Sequence, residues 1–436
     1  MHPLTELIHS DMKPALGVTE PGAIAFAVST AGSYLTGEIQ EVSIALNSGM
    51  YKNAFTCGIP GSPHYGNLYA AALGAVAGKP ELGLMSLQEV TEADNLAAEN
   101  LVKENRIHAE MSEVSSRIHI VATVRKESGA ATVTIWDTHT GITSIEVNGE
   151  MVKETSADKV SGRVESADAS FGEAAETSEP PLIHRYTLGE MLDYVRTVPA
   201  EEIAFIQEAF EMNLALFREG LANPRTTYLH YLWKKNGEQE ISEDELASAS
   251  LLCNGAIEAR VIGLDAPAMS ITGSGAHGII ATLPLYASAE VRGISDEMRN
   301  RMTALSYLIC MYIKEYSGRL SAFCGCAIAA GSGMAAALCF GRGGGEKEIT
   351  ACLWNMASSI TGMVCDGGNH GCTMKGVVAC DAAFRAADLA MNGISIEPIH
   401  GINGATAEET MRNMGQIASP GMVATEKTIV DIMQEK

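Results

Sequence analysis

Between about Glu38 and Glu154, apolar and polar residues alternate in short runs, as they do in half-buried β-strands. These runs are EVSIALN, RIHAEMS, RIHIVATV, ATVTIWDT and TSIEVNGE. From Arg117 onward only turn-forming stretches separate them, so we predict adjacent antiparallel strands there. Helical spacing interrupts the pattern at LYAAALGAVAG and at SLQEVTEADNLAAENLVKEN. The pattern therefore predicts an α+β domain over residues 1–154.

Residues 155–181 contain few large apolar side chains, in the sequence TSADKVSGRVESADASFGEAAETSEPP. This polar, acidic composition is typical of a linker or an exposed loop, because it offers little apolar surface to bury. We therefore predict that residues 155–181 separate two domains.

After residue 181 the apolar positions recur mainly at helical spacing. The predicted helices are TLGEMLDYVRTV, AEEIAFIQEAFEMNLALFREGL, SEDELASASLLCNGAIEARVIG, SDEMRNRMTALSYLICMYIKEY, the segment from Cys324 to Phe340, EKEITACLWNMASSITGMV, TMKGVVACDAAFRAADLAMN and TEKTIVDIMQEK. This pattern predicts a mainly α-helical domain over residues 182–436.

Glycine-rich stretches precede apolar, helix-like runs at three places in this half. They are SITGSGAHGIIATLP, SAFCGCAIAAGSGMAA and MVCDGGNHGC. The start of a helix exposes free N–H groups, so three converging helix N-termini would favour an anion or a cluster sulfide. Close helix packing is the alternative use of these small residues.

Composition excludes several classes of protein. The chain has 436 residues, 46% of them hydrophobic, which suffices for buried cores. The net charge of −23 argues against binding nucleic acid or anionic membrane surfaces. The N-terminus lacks the pattern of a signal peptide. The longest uncharged run, Leu320–Gly341, is rich in Ala, Gly and Ser, so we favour a buried helix over a membrane span. We expect a cytoplasmic protein with reduced cysteines.

Cysteine spacing distinguishes four of the ten thiols. Cys324 and Cys326 flank one glycine, and Cys365 and Cys372 flank DGGNHG. Zinc ligand pairs usually lie roughly two to four residues apart, whereas iron–sulfur clusters accept varied spacings. Spacing favours a cluster over zinc without excluding zinc. Five other cysteines lie in apolar helical patterns and are predicted core residues: Cys253, Cys310, Cys339, Cys352 and Cys380.

Two N-terminal stretches add candidate binding groups. KPALGVTEPGAIAFA is predicted to end one helix at Gly17 and to begin another at Pro21, with Glu20 at the junction. NSGMYKNAFTCGIPG carries Lys52 and Asn53 after a strand. Lys52 is a candidate for binding a substrate carboxylate or for forming a Schiff base; an exposed turn lysine is the ordinary alternative.

Five stretches occur in an order that resembles one known family: ALGVTEPGAIAFA, YKNAFTCGIPG, GSGAHGIIATLP, LSAFCGCAIAAGSGMAA and GMVCDGGNHGCTMK. They resemble the L-cysteine desulfidase and serine dehydratase alpha-like family (UPF0597), which is related to the oxygen-sensitive iron–sulfur L-serine dehydratases. The resemblance implies a [4Fe–4S] lyase that performs α,β-elimination on a small L-amino acid. L-cysteine, giving pyruvate, ammonia and sulfide, is the first candidate substrate. Dehydration of L-serine or L-threonine with the same cluster is the alternative, and a homo-oligomer stays open.

The resemblance also implies which residues form the site. The cluster ligands would be Cys324, Cys365 and Cys372, with Cys324 preferred over Cys326 because the family segment aligns through its first cysteine. Three thiolates leave one iron open as a Lewis acid for the leaving group. A base must then remove the Cα proton, and the substrate carboxylate must be held.

The sequence leaves several candidates for the other roles. The candidate bases are His277, His370, Lys375 and, as a weaker choice, Glu20. The candidate substrate-binding groups are Lys52, Asn53, Ser274, Glu20 and helix N–H groups. A loop histidine satisfied by backbone carbonyls is the alternative for either imidazole.

One position departs from the family pattern. The family typically has Gly-Cys-Thr-Glu-Pro where this chain has Val18 in place of the cysteine, and valine can neither ligate iron nor act as a thiol. Three consequences follow as alternatives: Cys57 or His277 takes over the role, the substrate differs from cysteine, or the chain is a non-catalytic metal- or cluster-binding homologue.

Overall fold

A computed structural model describes residues 1–155, 180–318 and 320–436. Within residues 1–155 the helices are α1 (Pro3–Asp11), α2 (Thr19–Ser33), α3 (Ser48–Ala54), α4 (Gly66–Val76) and α5 (Glu92–Lys103). The strands are β1 (Lys13–Leu16), β2 (Ile39–Asn47), β3 (Ile107–Glu113), β4 (His119–Lys126), β5 (Gly129–Trp136), β6 (Ile142–Val147) and β7 (Glu150–Glu154).

Six of these strands form one mixed sheet in the order β3-β2-β4-β5-β6-β7. The antiparallel pairing of β4, β5 and β6 confirms the prediction, and β7, which was not predicted as a separate strand, pairs antiparallel with β6. β2 and β3 pair in parallel, because the chain crosses over through α3, α4 and α5 between them. Alternate residues of β4, namely Ile120, Ala122 and Val124, are fully buried, and α2 packs on β4 and β5. The first half is therefore α+β, as predicted.

The second half is mainly helical, also as predicted. Its helices are α6 (Leu188–Thr197), α7 (Gln207–Ala222), α8 (Thr227–Lys235), α9 (Glu245–Val261), α10 (Gly275–Arg292), α11 (Asp296–Ser317), α12 (Gly331–Gly341), α13 (Glu346–Ile360), α14 (Gly371–Met391), α15 (Ala407–Gln416) and α16 (Val423–Gln434). One short strand, β8 (Pro267–Ser270), precedes α10. The five cysteines predicted to be core residues are all fully buried.

The run around Leu320–Gly341 is a buried helix, as favoured. A π-helical turn, Cys326–Ala330, leads directly into α12. π-Helical turns often occur at functional sites, because the wider turn redirects the side chains. No helix in the described ranges is long and apolar enough to cross a membrane.

Three local predictions need correction. Residues Lys13–Leu16 form strand β1 rather than the end of a helix, because they pair antiparallel with β8. Helix α2 begins at Thr19 rather than at Pro21. The helix predicted from Ala200 begins at Gln207, after two short 3₁₀ turns.

The pairing of β1 with β8 joins the two halves of the chain. One strand comes from each half of the sequence, with Lys13 opposite Ser270 and Leu16 opposite Pro267. The predicted linker falls mainly on residues 156–179, outside the described residues, and the domain limits stay predictions.

Candidate functional site

A cavity of about 400 Å³ lies where the two halves meet. The N-terminal half supplies wall residues from α1, α2, α3 and the turn after β5. The helical half supplies the turn before α10, one side of α11 and the cysteine-bearing segments. The polar and sulfur-containing residues that line the cavity include Asp11, Lys13, Glu20, Asn53, His139, Thr272, Ser274, His277, Lys314, Cys326 and Cys365.

Backbone pairing brings two cysteine segments side by side. The Cys324 N–H donates to the Met363 carbonyl at 3.0 Å, and the Cys365 N–H donates to the Ala322 carbonyl at 2.6 Å. Phe323 and Val364 form a β-bridge between these bonds. Cys324 and Cys365, 41 positions apart in sequence, therefore start from adjacent backbone segments.

Cys372 follows Cys365 across one turn, and its thiol donates to the Gly367 carbonyl of that turn at 3.4 Å. Burial raises the pKa of Cys372 to about 12, and nearby Cys365 and Cys324 add to the shift. Burial and Cys324 likewise raise the pKa of Cys365. The hydrogen bond with the Cys326 thiol is the largest cause that raises the pKa of Cys324, and burial raises it further. The structure thus brings together the three cysteines that the sequence predicted as ligands.

The turn that carries Cys365 and Cys372 needs its glycines. Gly367 has φ of +104°, and a Cβ there would lie 2.5 Å from the Lys52 carbonyl oxygen. The neighbouring Gly368 donates its N–H to the Asn53 carbonyl at 3.1 Å. The glycines therefore let the turn lie directly against helix α3.

Val18 lies against the same turn. A Cβ on Gly368 would come within 2.9 Å of a methyl group of Val18, which is 3% exposed. Cys57 also lies close: burial and the Glu20 carboxylate raise its pKa, and Cys372 adds to the shift. Val18 and a further buried thiol, that of Cys57, therefore both lie close to the turn that carries Cys365 and Cys372.

Lys375 follows this turn on α14 and forms an ion pair with Asp366. Burial by itself lowers the pKa of Lys375, but the bond to Asp366 and the thiols of Cys365, Cys324 and Cys372 outweigh burial and raise it. Lys375 therefore carries a positive charge beside the thiols, which disfavours its role as a base.

Lys52 does not line the cavity. It lies on α3 and is fully buried, so the alternative of an exposed turn lysine is wrong. Its ammonium group donates to Glu426 of α16 at 2.7 Å and to the Ser321 carbonyl at 2.9 Å. These contacts give Lys52 a structural task, the joining of α3 to the C-terminal helix.

Glu20 lines the cavity as a buried carboxylate. It accepts hydrogen bonds from Asn53 Nδ2 at 2.9 Å and from Thr19 Oγ1 at 3.0 Å. Burial opposes its ionisation, but His139, Asn53 and the Arg260 guanidinium outweigh burial and lower the pKa of Glu20. A fixed negative charge therefore faces the cavity from the N-terminal half.

His277 lies on the opposite wall, in the first turn of α10. Burial, with the cations of Lys314 and Arg260, lowers its pKa to about 3, so the imidazole is neutral near pH 7. A Cβ on Gly325 would lie 2.8 Å from His277 Nε2. The imidazole therefore fits against the glycine between Cys324 and Cys326.

Of the two remaining predicted residues, one lines the cavity and the other does not. Ser274, at the N-cap of α10, lines the cavity. His370 is exposed, does not line the cavity and approaches the ring of Tyr228, with ring centres 6.4 Å apart. His370 is thus poorly placed to act on a ligand in the cavity.

Sequence reasoning missed several wall residues. Lys314 follows seven apolar or aromatic residues, YLICMYI, on one helix, and a charge at that place could have identified it. His139 lies in the turn DTHTG, and Asp11 precedes β1. No local signal marks Thr272 or Asp11, because their roles depend on contacts between distant segments.

Comparisons with known proteins place this chain in a family. A family model described as "Serine dehydratase alpha chain" matches residues 81–431. The chain belongs to the serine dehydratase alpha chain family. Several relatives carry the name UPF0597 protein. One from Clostridium botulinum (strain Langeland) is 39% identical over 434 residues, covering 99% of this chain and 98% of the relative.

Other members of the family are nearly as similar. A UPF0597 protein of Caldanaerobacter subterraneus is 36% identical, covering 99% of this chain and 98% of its own. One from Clostridioides difficile is 33% identical, with 99% of both chains covered. The name of these relatives states no substrate.

The donor set of this family member fits an iron–sulfur cluster chemically. Across the described residues, no three His, Cys, Asp or Glu side chains are grouped as a single metal ion requires. The thiolates of a cluster bind different irons, so they need not meet at one point. Three neighbouring thiols, the charge of Lys375 and a bordering cavity are consistent with a cluster.

Proposed function

We propose that the protein is an iron–sulfur lyase that eliminates the β-substituent of a small L-amino acid. The first candidate reaction converts L-cysteine to pyruvate, ammonia and sulfide. The observation that carries this proposal is the grouping of Cys324, Cys365 and Cys372 beside a cavity with fixed charges on opposite walls. Membership in the serine dehydratase alpha chain family supports lyase chemistry.

The three thiolates of Cys324, Cys365 and Cys372 would hold a [4Fe–4S] cluster. When bound, it would supply a Lewis-acidic iron for the leaving group. Each thiol gives up its proton when it binds iron. The positive charge of Lys375 would stabilise the anionic thiolates through the short distances of a buried site.

His277 is the base that the geometry favours. It lines the cavity, and its imidazole is unprotonated near pH 7, so a ring nitrogen can accept the Cα proton. Burial and the cations of Lys314 and Arg260 make it a weak base in the empty cavity, and a substrate carboxylate paired with Lys314 would raise its pKa. Lys375 is already protonated and paired, and His370 lies away from the cavity. Loss of the proton and of the leaving group yields an enamine, which hydrolyses to the keto acid and ammonia.

The cavity charges match a zwitterionic amino acid. Lys314 is a buried cation on the helical wall and would bind the substrate carboxylate, in place of Lys52. Glu20 would face the substrate ammonium group, and Asn53 and Ser274 offer further polar contacts. Fixed charges at both ends would orient the Cα–H bond towards His277.

Anaerobic turnover tests this proposal. We expect full-length protein loaded with iron and sulfide to release sulfide, pyruvate and ammonia in equal amounts from L-cysteine. Pyruvate from L-serine or L-threonine, without turnover of L-cysteine, would favour the dehydratase alternative. A protein that holds the cluster and turns over none of the three would contradict lyase function.

A matched pair of variants tests the ligand assignment. Cys365→Ala should lose both iron and turnover, because it removes one of the three thiols. Cys352→Ala removes a fully buried core thiol on α13 and should retain both. Equal iron content in the two variants would show that Cys365 is not a ligand.

A further inference from the structure

Thr272 has an unusual backbone conformation next to the cavity. Its φ is +51°, in the left-handed region that β-branched residues rarely adopt. The other non-glycine residues with positive φ in the described ranges are asparagine, aspartate or glutamate. Strain of this kind persists only where surrounding contacts hold it, and it is frequent at functional sites.

Contacts from both halves of the chain hold this conformation. The Thr272 N–H donates to Asp11 Oδ2 of α1 at 2.5 Å. On either side, Ile271 and Ser274 exchange backbone hydrogen bonds of 3.3 and 3.1 Å. The turn between β8 and α10 is thus closed around Thr272.

The side chain of Thr272 contacts His277. The hydroxyl donates to the Ile271 carbonyl at 2.7 Å, and its oxygen lies 2.5 Å from His277 Nδ1. A hydroxyl has one proton, and a carbonyl can only accept one. With its proton directed to Ile271, the hydroxyl oxygen accepts a hydrogen bond from Nδ1–H.

This assignment also determines whether the other ring nitrogen, Nε2, carries a proton. A hydrogen bond between the imidazole and the Ile271 backbone raises the pKa of His277, as an accepting carbonyl does, although burial outweighs it. The Thr272 hydroxyl oxygen, acting as an acceptor, therefore places the proton of the neutral ring on Nδ1. Nε2 then has a free lone pair, and it is the atom next to Gly325.

We propose that Thr272 is a positioning residue that fixes the His277 tautomer. Its hydroxyl keeps the ring proton on Nδ1, so that Nε2 is ready to accept the substrate Cα proton. This inference rests on the proposed function, in which His277 is the base. The left-handed conformation of Thr272 serves to bring its hydroxyl and its N–H to His277 and Asp11 together.

Kinetics of the cluster-loaded enzyme test this role. Thr272→Val removes the hydroxyl but keeps the shape, and we expect kcat to fall by roughly 100-fold with KM little changed. Thr272→Ser keeps the hydroxyl and should stay within about threefold of the parent kcat. Thr303→Val is the matched control: it removes a fully buried hydroxyl on α11 outside the cavity and should leave kcat unchanged.

Nitrogen NMR gives a readout that does not depend on turnover. Full-length iron-free chain labelled with ¹⁵N-histidine should show His277 as the Nδ1–H tautomer, assigned by comparison with His277→Gln. Thr272→Val should shift the ring towards the Nε2–H form, and Thr272→Ser should not. These signals remain measurable whether or not the enzyme acts on cysteine.

Three results would overturn the proposal: an Nε2–H tautomer in the parent protein, parent-like kcat in Thr272→Val, or equal losses in Thr272→Val and Thr272→Ser. If Thr272→Val fails to fold, the tautomer of His277 in the parent protein and the kcat of Thr272→Ser still test the proposal. Absence of lyase activity in the loaded parent would instead contradict the proposed function.

Discussion

Two residues 374 positions apart, Lys52 and Glu426, form a buried ion pair. Removing one member of such a pair leaves a buried charge without its partner. We expect Lys52→Met to lower the free energy of unfolding by about 3–5 kcal/mol in urea titrations. The KM of the folded fraction should stay close to that of the parent, because Lys52 does not line the cavity.

The partner substitution provides the control for this prediction. Lys52→Met combined with Glu426→Leu removes both charges and should recover much of the lost stability. A large rise in KM for Lys52→Met with unchanged unfolding would instead restore Lys52 as a substrate-binding residue.

The pKa of His277 makes stability depend on pH. The folded value of about 3 lies below the ordinary value of 6.5, so between them the unfolded chain binds a proton that the folded chain does not. The contribution of His277 to the free energy of unfolding is therefore constant above pH 6.5. It lowers that free energy as the pH drops towards 3, by up to about 1.4 kcal/mol per pH unit. The groups that influence this imidazole are Lys314, Arg260 and Asp11.

Comparison with His277→Gln isolates the contribution of this residue. The glutamine variant lacks the titrating ring, so the difference in unfolding free energy between parent and variant should change across this pH range. Urea titrations at several pH values measure it, with both proteins in the same iron state. Parallel pH profiles for the two proteins would contradict the lowered pKa.

At the residue level, the sequence identified side chains better than it identified their partners. The resemblance of the motifs to a known family selected Cys324, Cys365 and Cys372, and these cysteines lie near one another; their role as ligands stays a prediction. Lys52 was different, since nothing near it in sequence indicates a partner on the last helix. Thr272 was not predicted for the same reason: its strain and its contacts exist only in the folded chain.

At the level of elements, the turn between α13 and α14 controls where two thiols lie. Gly367→Ala would place a Cβ 2.5 Å from the Lys52 carbonyl and strain a backbone with φ of +104°. We expect this substitution to lower the free energy of unfolding by more than about 1 kcal/mol and to reduce bound iron. Urea titration and iron analysis measure the two effects.

Gly362 offers a control near the same turn. A Cβ there would meet no atom within 4 Å, and its φ is not in the left-handed region. Gly362→Ala should therefore retain both stability and iron. Equal iron loss in the two variants would show that the close approach of Gly367 is not what positions the thiols.

Local periodicity predicted the elements in which buried positions repeat regularly along one continuous segment. Buried and less buried residues alternate along strands β4 and β5, and long helices such as α11 show a continuous helical pattern. Strands β1 and β8 were not predicted, because four-residue strands show too little periodicity and exist through pairing with each other. Helix α5 begins later than predicted, since Thr91 and Asp94 form a capping box there.

At the level of the whole molecule, the candidate site depends on contacts that join the two halves. β1 pairs with β8, Lys52 pairs with Glu426, and Asp11 holds Thr272. Glu20 and His277 reach the same cavity from opposite halves. Neither half contains a complete site, so the halves should act as one unit even when the chain between them is cut.

A protease site inserted between residues 156 and 179 tests this dependence. After complete cleavage, we expect the two pieces to elute together in native buffer, to keep their iron and turnover, and to unfold in one transition. Residues 180–436 expressed alone should bind little iron, because β8 loses its partner strand and Thr272 loses Asp11. If the cleaved pieces separate under native conditions and the C-terminal piece still holds a full cluster, the site belongs to the helical half alone. The contacts of Glu20 and Asp11 would then be dispensable for assembling the site.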